Sequence, residues 1–294
     1  MVDFKSLKKN SGQKSLAELT ESLNKLVAKE DNAPDERYWK LTVDKAGNGS
    51  AVIRFLPAPG NEDSAFIRYW DHGFSGPGGW YIEKSLTTLG QVDPVAENNK
   101  ILWDSGEAGK KLVSGVPKAR GVDGVPGYKR RLHYVSGIYV IDDSGNPENN
   151  GKVFLFEYGS KILEKLQEAE EEGFSPFDFW SGANFHLKAQ NKDGYRNYDK
   201  SKFLPVGPLL DDDAAMEKIW KSQYSLKAEI APEKFKSYIV LKAQLDKVLG
   251  NRTGPSAPIA EVAAPQFKTA ESVPFAVEED SEEHSENFFR NLAS

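Results

Sequence analysis

The stretch Tyr128-Lys129-Arg130-Arg131-Leu132-His133-Tyr134, continuing into Ile138-Tyr139-Val140-Ile141, sets three consecutive cations before a β-branched and aromatic run. This run predicts a β-strand, because branched and aromatic side chains pack well on a pleated surface. Cations can hold a phosphate backbone while flat rings stack on bases, and binders of unpaired nucleic acid combine these features. An exposed strand start with ordinary β-forming tyrosines accounts equally well for the same residues.

The composition restricts the class of protein. The chain has 294 residues, enough for one large domain or two small ones with a real core. It has no cysteine, which excludes disulfides, thiolate metal sites and cysteine nucleophiles and fits an intracellular protein. There is no apolar run of membrane-spanning length and no signal-peptide core at the N-terminus, so we expect no membrane contact.

The net charge of −6 is unevenly distributed along the chain. Residues 1–29 carry six lysines against three acids, whereas residues 251–294 carry eight acids against three basic residues. We expect the basic end to contact a polyanion and the acidic end to have a separate role.

The two ends of the chain differ from its middle in pattern as well as in charge. Leucines at helical spacing predict an amphipathic helix over residues 15–29, within a basic N-terminal arm of residues 1–34. Either this segment is a mobile arm or it is simply the first helix, and its lysines favour the arm. Residues 251–294 are rich in Pro, Ala, Ser and Glu, which predicts a disordered acidic tail.

The middle of the chain, residues 35–250, begins with two predicted β-hairpins. Residues 38–43 and 50–57 alternate around a turn sequence, and residues 66–70 and 79–83 flank a glycine-rich stretch. More strand patterns follow the central run.

The order of these patterns predicts a mainly β fold with flanking helices (α+β). Short strands separated by turns are typical of a small antiparallel barrel, and two helices are predicted near residues 213–224 and 232–249. Gly250 is a predicted helix stop. Residues 85–126 are irregular and polar, and we interpret them as an inserted subdomain with short helical segments near residues 94–99 and 106–112.

The chain contains no recognisable catalytic motif. It lacks a phosphate loop, a dinucleotide fingerprint and a nucleophile elbow, and its four histidines have no metal-ligand spacing. A hydrolase would depend on loose carboxylates such as Asp142 and Asp211. We therefore assign no catalytic residue and no enzyme activity.

Alternation of basic and aromatic residues recurs beyond the opening stretch. Phe156 and Tyr158 share a strand face that can be core or binding platform, whereas Tyr195 and Tyr198 lie in a polar segment where burial is less natural. The candidate contacts to single-stranded nucleic acid are Tyr128, Lys129, Arg130, Arg131, Tyr134, Phe156, Tyr158, Tyr195, Arg196, Tyr198, Lys200 and Lys202.

Ordered motifs between about Tyr38 and Gly250 resemble the single-stranded DNA-binding (helix-destabilising) proteins of T-even-type bacteriophages. The matching motifs are Trp39-Lys40-Leu41, Ala46-Gly47-Asn48-Gly49, Ala51-Val52-Ile53-Arg54-Phe55-Leu56-Pro57, His72-Gly73-Phe74, Trp80-Tyr81-Ile82-Glu83, Pro147-Glu148-Asn149, Gly151-Lys152-Val153-Phe154, Gly182-Ala183-Asn184-Phe185, Asn197-Tyr198-Asp199 and Ser201-Lys202-Phe203-Leu204. Many ordered matches are far more specific than any single motif.

The resemblance implies an OB-fold core that binds single-stranded DNA during phage replication, recombination and repair in the cytoplasm of the infected host. It implies self-association along DNA through the arm, with Lys5, Lys8 and Lys9 loosely echoing the family's arm motif. It also implies recruitment of replication and recombination proteins by the tail. Family DNA contacts carry over to Lys129, Arg130, Arg131, Tyr134, Phe156 (a tyrosine in the family pattern), Tyr195 and Tyr198. An RNA-binding or protein-interaction scaffold is the alternative.

The chain departs from the family at a zinc site of one histidine and three cysteines. His72 stands at the histidine position, but Ser85, Val95 and Asn98 fall at the cysteine positions. None of these three can supply a thiolate, so we expect no zinc and no other cofactor. Side-chain packing must then stabilise the inserted subdomain of residues 85–126, called the excursion below.

Overall fold

The computed structural model describes residues 35–115, 127–192 and 195–250. The predicted arm, with its helix over residues 15–29 and with Lys5, Lys8 and Lys9, lies outside these ranges. So do the predicted tail and residues 116–126 of the excursion.

The described residues contain one mixed sheet of nine strands. They are β1 (Tyr38–Trp39), β2 (Gly49–Phe55), β3 (Phe66–Gly76), β4 (Gly79–Lys84), β5 (Arg131–Asp143), β6 (Val153–Tyr158), β7 (Ala183–Lys192), β8 (Tyr195–Asn197) and β9 (Lys202–Val206). The main path runs β1-β6-β5-β2-β7-β8, with β3 also on β5, β4 on β3 and β9 on β7. β1 pairs with β6 in parallel, and the other pairs are antiparallel.

Five α-helices accompany the sheet within the same described ranges. They are α1 (Pro94–Asp104), α2 (Glu107–Ser114), α3 (Ser160–Glu171), α4 (Asp213–Lys221) and α5 (Tyr238–Leu249). Gly250 ends α5 in the left-handed conformation at φ 72°, as its position predicted. None of these helices has the length and apolar character needed to cross a membrane. The predicted class, mainly β with flanking helices, is confirmed.

β5 is the strand around which the sheet is assembled. Its first half pairs with β3, its second half pairs with β2 on the same edge, and β6 lies along the other edge. The strand predicted from the opening stretch is therefore confirmed, with Arg131 as its first residue. On β5, Tyr134, Ile138 and Val140 are buried and point into one large core.

This first core explains why the alternating segments form strands. It combines apolar side chains of β1, β2, β5, β6 and β7 with Ile162, Leu163 and Leu166 on one side of α3. Complete burial of each large apolar side chain contributes roughly 1.5–3 kcal/mol. Phe55, which is inaccessible to solvent, contacts the rings of Phe156 and Tyr158 at centroid distances of 6.3 and 5.8 Å.

The first predicted hairpin is wrong, and the second is present but with different pairing residues from those predicted. Residues 38–43 contribute only the two-residue β1, which pairs in parallel with β6, while β2 pairs with β5 and β7. The turn at residues 44–49 is present, since Asp44 accepts backbone hydrogen bonds from Ala46 and Asn48. Both edges of β2 are therefore paired with strands that are distant in sequence instead of with residues 38–43. β3 and β4 do form a hairpin, but β4 pairs with residues 71–76 of β3, whereas residues 66–70, which were predicted to pair with it, pair with β5.

A second core forms at the far end of the β3–β4 hairpin. It contains Phe74, Tyr81, Leu86, Val95, Tyr128, Phe235, Leu241, Leu245 and Val248. Residues 85–115 of the predicted irregular excursion thus contain two regular helices, and α5 from the end of the described chain packs with them. The excursion and α5 share one core because the hydrophobic sides of these short helices pack together against Phe74 and Tyr81 of the β3–β4 hairpin.

Candidate nucleic-acid interface

β3 connects the two cores and carries a different kind of residue between them. Phe66 belongs to the first core and Phe74 to the second. Residues two apart in a strand face the same side, so Arg68 and Trp70 lie on this same face between the cores. Arg68 is exposed and Trp70 is half-buried. A cation and an indole therefore line the junction between two apolar clusters.

Arg130 approaches this junction from the segment that precedes β5. Its guanidinium carbon lies 3.9 Å from the centroid of the Trp70 ring, within the range of a cation–π contact. Its Nη1 donates a 3.0 Å hydrogen bond to the Thr87 hydroxyl. The Trp70 backbone N–H donates to the hydroxyl of the adjacent Thr88 at 2.8 Å. The 3₁₀ turn Leu86–Leu89 thus binds both the Arg130 guanidinium and the backbone of Trp70.

Arg131 lies on the opposite side of the strand from Arg130. It is opposite Asp71 in the sheet and makes two hydrogen bonds to that carboxylate, of 2.9 and 2.6 Å. The guanidinium rests on Gly73, where an added Cβ would lie 2.3 Å from Arg131 Nη2. The three consecutive cations therefore do not form one patch. Lys129 is exposed, Arg130 joins Trp70, and Arg131 joins Asp71.

Charged side chains form a cluster around Asp71 on this side of the sheet. The His133 imidazole lies 2.9 Å from Asp71 and 3.1 Å from Glu157, and it stacks on the Tyr69 ring at 5.2 Å. Burial alone would lower the pKa of His133, but the two carboxylates outweigh it and raise the pKa to about 9. Burial alone would raise the pKa of Asp71 and of Glu157. The imidazole is hydrogen-bonded to both carboxylates and helps to lower both pKa values.

Four predicted stacking rings lie in the cores instead of on the surface. Tyr128 is 8% exposed and packs edge-on against Phe74, while Tyr134, Phe156 and Tyr158 are 1, 6 and 4% exposed in the first core. A ring covered by protein cannot also stack on a base. We therefore correct their expected role from stacking to packing. Tyr134, Phe156 and Tyr158 lie on the face of β5 and β6 that the first core covers, and Tyr128 is covered by the second core.

The second predicted group lies at the β8–β9 end of the sheet. Tyr195 and Arg196 belong to β8, Lys202 begins β9, and Lys200 lies in the turn between them. Arg196, Lys200 and Lys202 are exposed. Tyr198 is half-buried and packs against the first core, as Leu132 of β5 also does. Both predicted groups therefore border the same core, although β2 and β7 separate β8 from β5 in the sheet.

Arg68 and Trp70 are the site residues that sequence reasoning missed. The segment Arg68-Tyr69-Trp70 shows the same basic–aromatic alternation that singled out residues 128–134. Its strand spacing could have indicated that Arg68 and Trp70 share a face.

The carboxylates on which a hydrolase would depend are dispersed. Asp142 is exposed opposite Val52 near the end of β5, and exposed Asp211 precedes α4. Within the described ranges, no three His, Asp or Glu side chains are grouped so that they could hold a metal ion.

Comparisons with known proteins bear on the same part of the chain. A family model described as "gp32 DNA binding protein like" matches residues 47–249. The proteins named "Single-stranded DNA-binding protein" of Enterobacteria phages T2 and T4 are each 34% identical to this chain, over 278 and 275 residues. Both alignments cover 89% of this chain and 85% of the relative. A protein of the same name from Escherichia phage SV14 is 43% identical over 83 residues, or 28% of this chain and 74% of the relative.

Proposed function

The chain belongs to the gp32-like family of DNA-binding proteins, and we propose that it binds single-stranded DNA without sequence preference. The observation that carries this proposal is the stack of Arg130 on Trp70, beside Arg68, at the junction between the two cores. The relatives from phages T2 and T4 are named as single-stranded DNA-binding proteins. The proposal includes no enzymatic step, since the interface needs only to hold a strand.

In this proposal the cations bind phosphates and the Arg130 guanidinium is a stacking plane for a base. Arginine planes and aromatic rings stack on unpaired bases of any identity, at about 1–3 kcal/mol for each base. Lys129 and Arg68 are exposed beside this plane and bind the backbone by releasing counterions. Tyr198 and the exposed Arg196, Lys200 and Lys202 extend the contact along the border of the first core, with Tyr195 as a further proposed contact. Binding in this way traps unpaired strands and melts weak duplex.

The finer fold and domain assignments belong to the same proposal. Family membership supports an OB-fold core over residues 35–250, and the mixed sheet around the first core is the part that would correspond to it. We assign residues 1–34 as a basic arm and residues 251–294 as an acidic tail on their charge alone.

We assign the arm to cooperative binding and the tail to partner recruitment. The arm's Lys5, Lys8 and Lys9 would contact the next protomer on the DNA, and the acidic tail would recruit phage replication and recombination proteins inside the host cell. Deleting residues 1–20 should then abolish clustered binding while affinity for a short oligonucleotide stays nearly constant. Deleting residues 255–294 should strengthen duplex melting and abolish pull-down of replication proteins.

Titration of full-length protein with poly(dT) at increasing salt tests the central proposal. We expect quenching of tryptophan fluorescence at low salt and a log–log salt slope of about −0.7 for each phosphate contacted. Poly(U) titrated under matched salt tests the alternative, since tighter binding to poly(U) would indicate an RNA-binding protein. Absence of binding to either polymer would refute the proposed function and leave a protein-interaction scaffold.

A further inference from the structure

The residues at the family's zinc position do not fit a zinc ion in this chain. A structural zinc is held by four nitrogen or thiolate ligands in most proteins. At the corresponding positions this chain has the buried imidazole of His72, the hydroxyl of Ser85, the apolar Val95 and the amide of Asn98. These residues and the neighbouring carboxylate supply too few nitrogen or thiolate ligands for a closed zinc site.

A single carboxylate occupies the centre of this region instead. Asp93 is 1% exposed and caps α1, where its Oδ1 accepts hydrogen bonds from the backbone N–H of Val95 at 2.9 Å and of Ala96 at 3.2 Å. Its Oδ2 accepts from the Ser85 hydroxyl at 3.0 Å and from the Leu86 backbone N–H at 3.0 Å. Both oxygens are therefore engaged by protein donors.

The Asp93 carboxylate joins the same segments that a metal would join. It contacts Ser85 and the backbone of Val95, two of the family's cysteine positions, and its Oδ1 lies 3.4 Å from Nε2 of buried His72. Thus β3, the turn after β4 and the start of α1 converge on one group. Hydrogen bonds to a buried carboxylate are strong, and removing their acceptor leaves several buried donors unsatisfied.

A chain of hydrogen bonds runs from this carboxylate to the proposed DNA contact. The Ser85 hydroxyl, which donates to Asp93, also lies 3.0 Å from the hydroxyl of Thr87. Thr87 in turn accepts from Arg130 Nη1 at 3.0 Å. On the other side of the cluster, Asn99 of α1 donates a 2.9 Å hydrogen bond to the carbonyl of Tyr128. The segment carrying Arg130 is fixed from both directions.

We propose that Asp93 replaces a metal centre as the group that holds this subdomain together, and that it positions Arg130 over Trp70 through Ser85 and Thr87. Asp93 and Thr87 are positioning residues in this proposal, because each acts through Arg130. The second half of the proposal rests on the proposed function, whereas the first half concerns stability and is independent of it.

Metal content and thermal melting of the full-length protein test the first half. We expect substoichiometric zinc in the purified protein and the same melting temperature with EDTA, with added zinc chloride and with neither. One bound zinc per chain, or a melting temperature that falls in EDTA, would overturn the replacement of the metal by Asp93.

Asp93→Asn tests the carboxylate directly, with Asp212→Asn as the matched control. Asp212 caps α4 by accepting from the Ala214 N–H at 2.9 Å, so both substitutions turn a capping Asp into Asn. Asn caps helices nearly as well, but its single amide oxygen cannot replace both carboxylate oxygens, which accept from four donors at Asp93. We expect Asp93→Asn to lower the melting temperature by at least about 5 °C, or to prevent folding, and Asp212→Asn to change it by less than about 2 °C. Equal effects would overturn the proposal.

Thr87→Val and Thr87→Ser test the positioning of Arg130 without disturbing Asp93. Valine keeps the shape and removes the hydroxyl, so we expect a melting temperature near wild type and about three- to tenfold weaker binding to oligo(dT). Serine should restore the affinity. The combination of Thr87→Val with Arg130→Ala should bind as weakly as Arg130→Ala alone, because both remove one interaction. Additive losses, or no loss with valine, would refute the positioning role.

The stabilising role of Asp93 and the positioning of Arg130 can be refuted separately. If wild-type protein does not bind oligo(dT), the proposed function and the positioning of Arg130 both fail. The metal and melting experiments would then still decide whether Asp93 replaces the metal centre.

Discussion

The guanidinium of Arg130 lies on the ring of Trp70, 3.9 Å from its centroid, although the two residues are far apart in sequence. The contact brings the start of β5 and the middle of β3 together at the junction of the two cores. The positive charge of such a pair can bind a phosphate, and its flat guanidinium can stack on a base.

Arg130→Lys tests the positive charge of Arg130 separately from the stacking of its guanidinium on a base. Lysine can still neutralise a phosphate but cannot stack as a guanidinium does. We expect oligo(dT) affinity to fall about three- to tenfold with the salt slope nearly unchanged, whereas Arg130→Ala should also make the slope shallower by about 0.7. Fluorescence titrations at four or more salt concentrations measure both quantities. Equal slopes for Lys and Ala would show that Arg130 does not contact a phosphate.

Asp71→Asn should release Arg131 for DNA. Asp71 now makes two hydrogen bonds to that guanidinium, and its charge competes with any phosphate. We expect tighter binding to oligo(dT) and a salt slope steeper by up to about 0.7. Asp142→Asn is the control for the change of charge, since Asp142 is exposed at the end of β5 that lies away from Arg131. A similar gain from both variants would indicate a general charge effect instead of release of Arg131.

Stability should decline at alkaline pH because of His133. Asp71 and Glu157 raise its folded pKa to about 9 against the ordinary value of 6.5. A raised pKa means that the folded state binds the proton more tightly, so the contribution is complete below pH 6.5 and is lost as the pH rises through about 9. Melting temperatures at a series of pH values between these limits measure the decline.

His133→Gln should flatten this decline, and His186→Gln is the control. The pKa of His186 is instead lowered, by burial and by neighbouring lysines, so its titration cannot produce a loss of stability as the pH rises. An unchanged pH profile in His133→Gln would contradict the assignment of the proton to His133.

Tyr158→Phe tests the correction of the stacking rings to packing rings. The Tyr158 hydroxyl is buried and lies 2.9 Å from the Ser136 hydroxyl. We expect a loss of about 1 kcal/mol in the free energy of unfolding and no change in oligo(dT) affinity. Trp70→Ala, in contrast, should clearly lower the affinity for oligo(dT) and the quenching of tryptophan fluorescence. If Tyr158→Phe weakened DNA binding at constant stability, the ring would have to reach the DNA.

Gly78→Ala tests the packing of α5 on the β3–β4 hairpin. A Cβ at this position would lie 1.8 Å from the carbonyl oxygen of Lys247, near the end of α5. We expect a loss of about 1–3 kcal/mol in the free energy of unfolding, measured by urea titration. At Gly159 an added Cβ meets nothing within 4 Å and the φ of −101° is ordinary, so Gly159→Ala should be nearly neutral.

The helices and strands were largely predictable because their signals are local. β5, the β3–β4 pair, α1, α2 and the stop at Gly250 all follow from periodicity, turn residues and caps. The first predicted hairpin failed because strand pairing is not local: β2 found β5 and β7, which are separated from it by many residues. The terminal segments were assigned from charge, and they lie outside the described residues.

The site was predictable in residue type and less so in geometry. Alternation shows that Arg130 and Arg131 face opposite sides of the chain, but it does not show which side is covered. The sequence by itself determined the strand, its three cations and the family. Only the tertiary structure decided that Tyr134, Phe156 and Tyr158 are core, that Trp70 meets Arg130, and that Asp93 lies where three segments converge. The physical reason is that burial and contact depend on which strands pair, and pairing is settled by the assembled sheet.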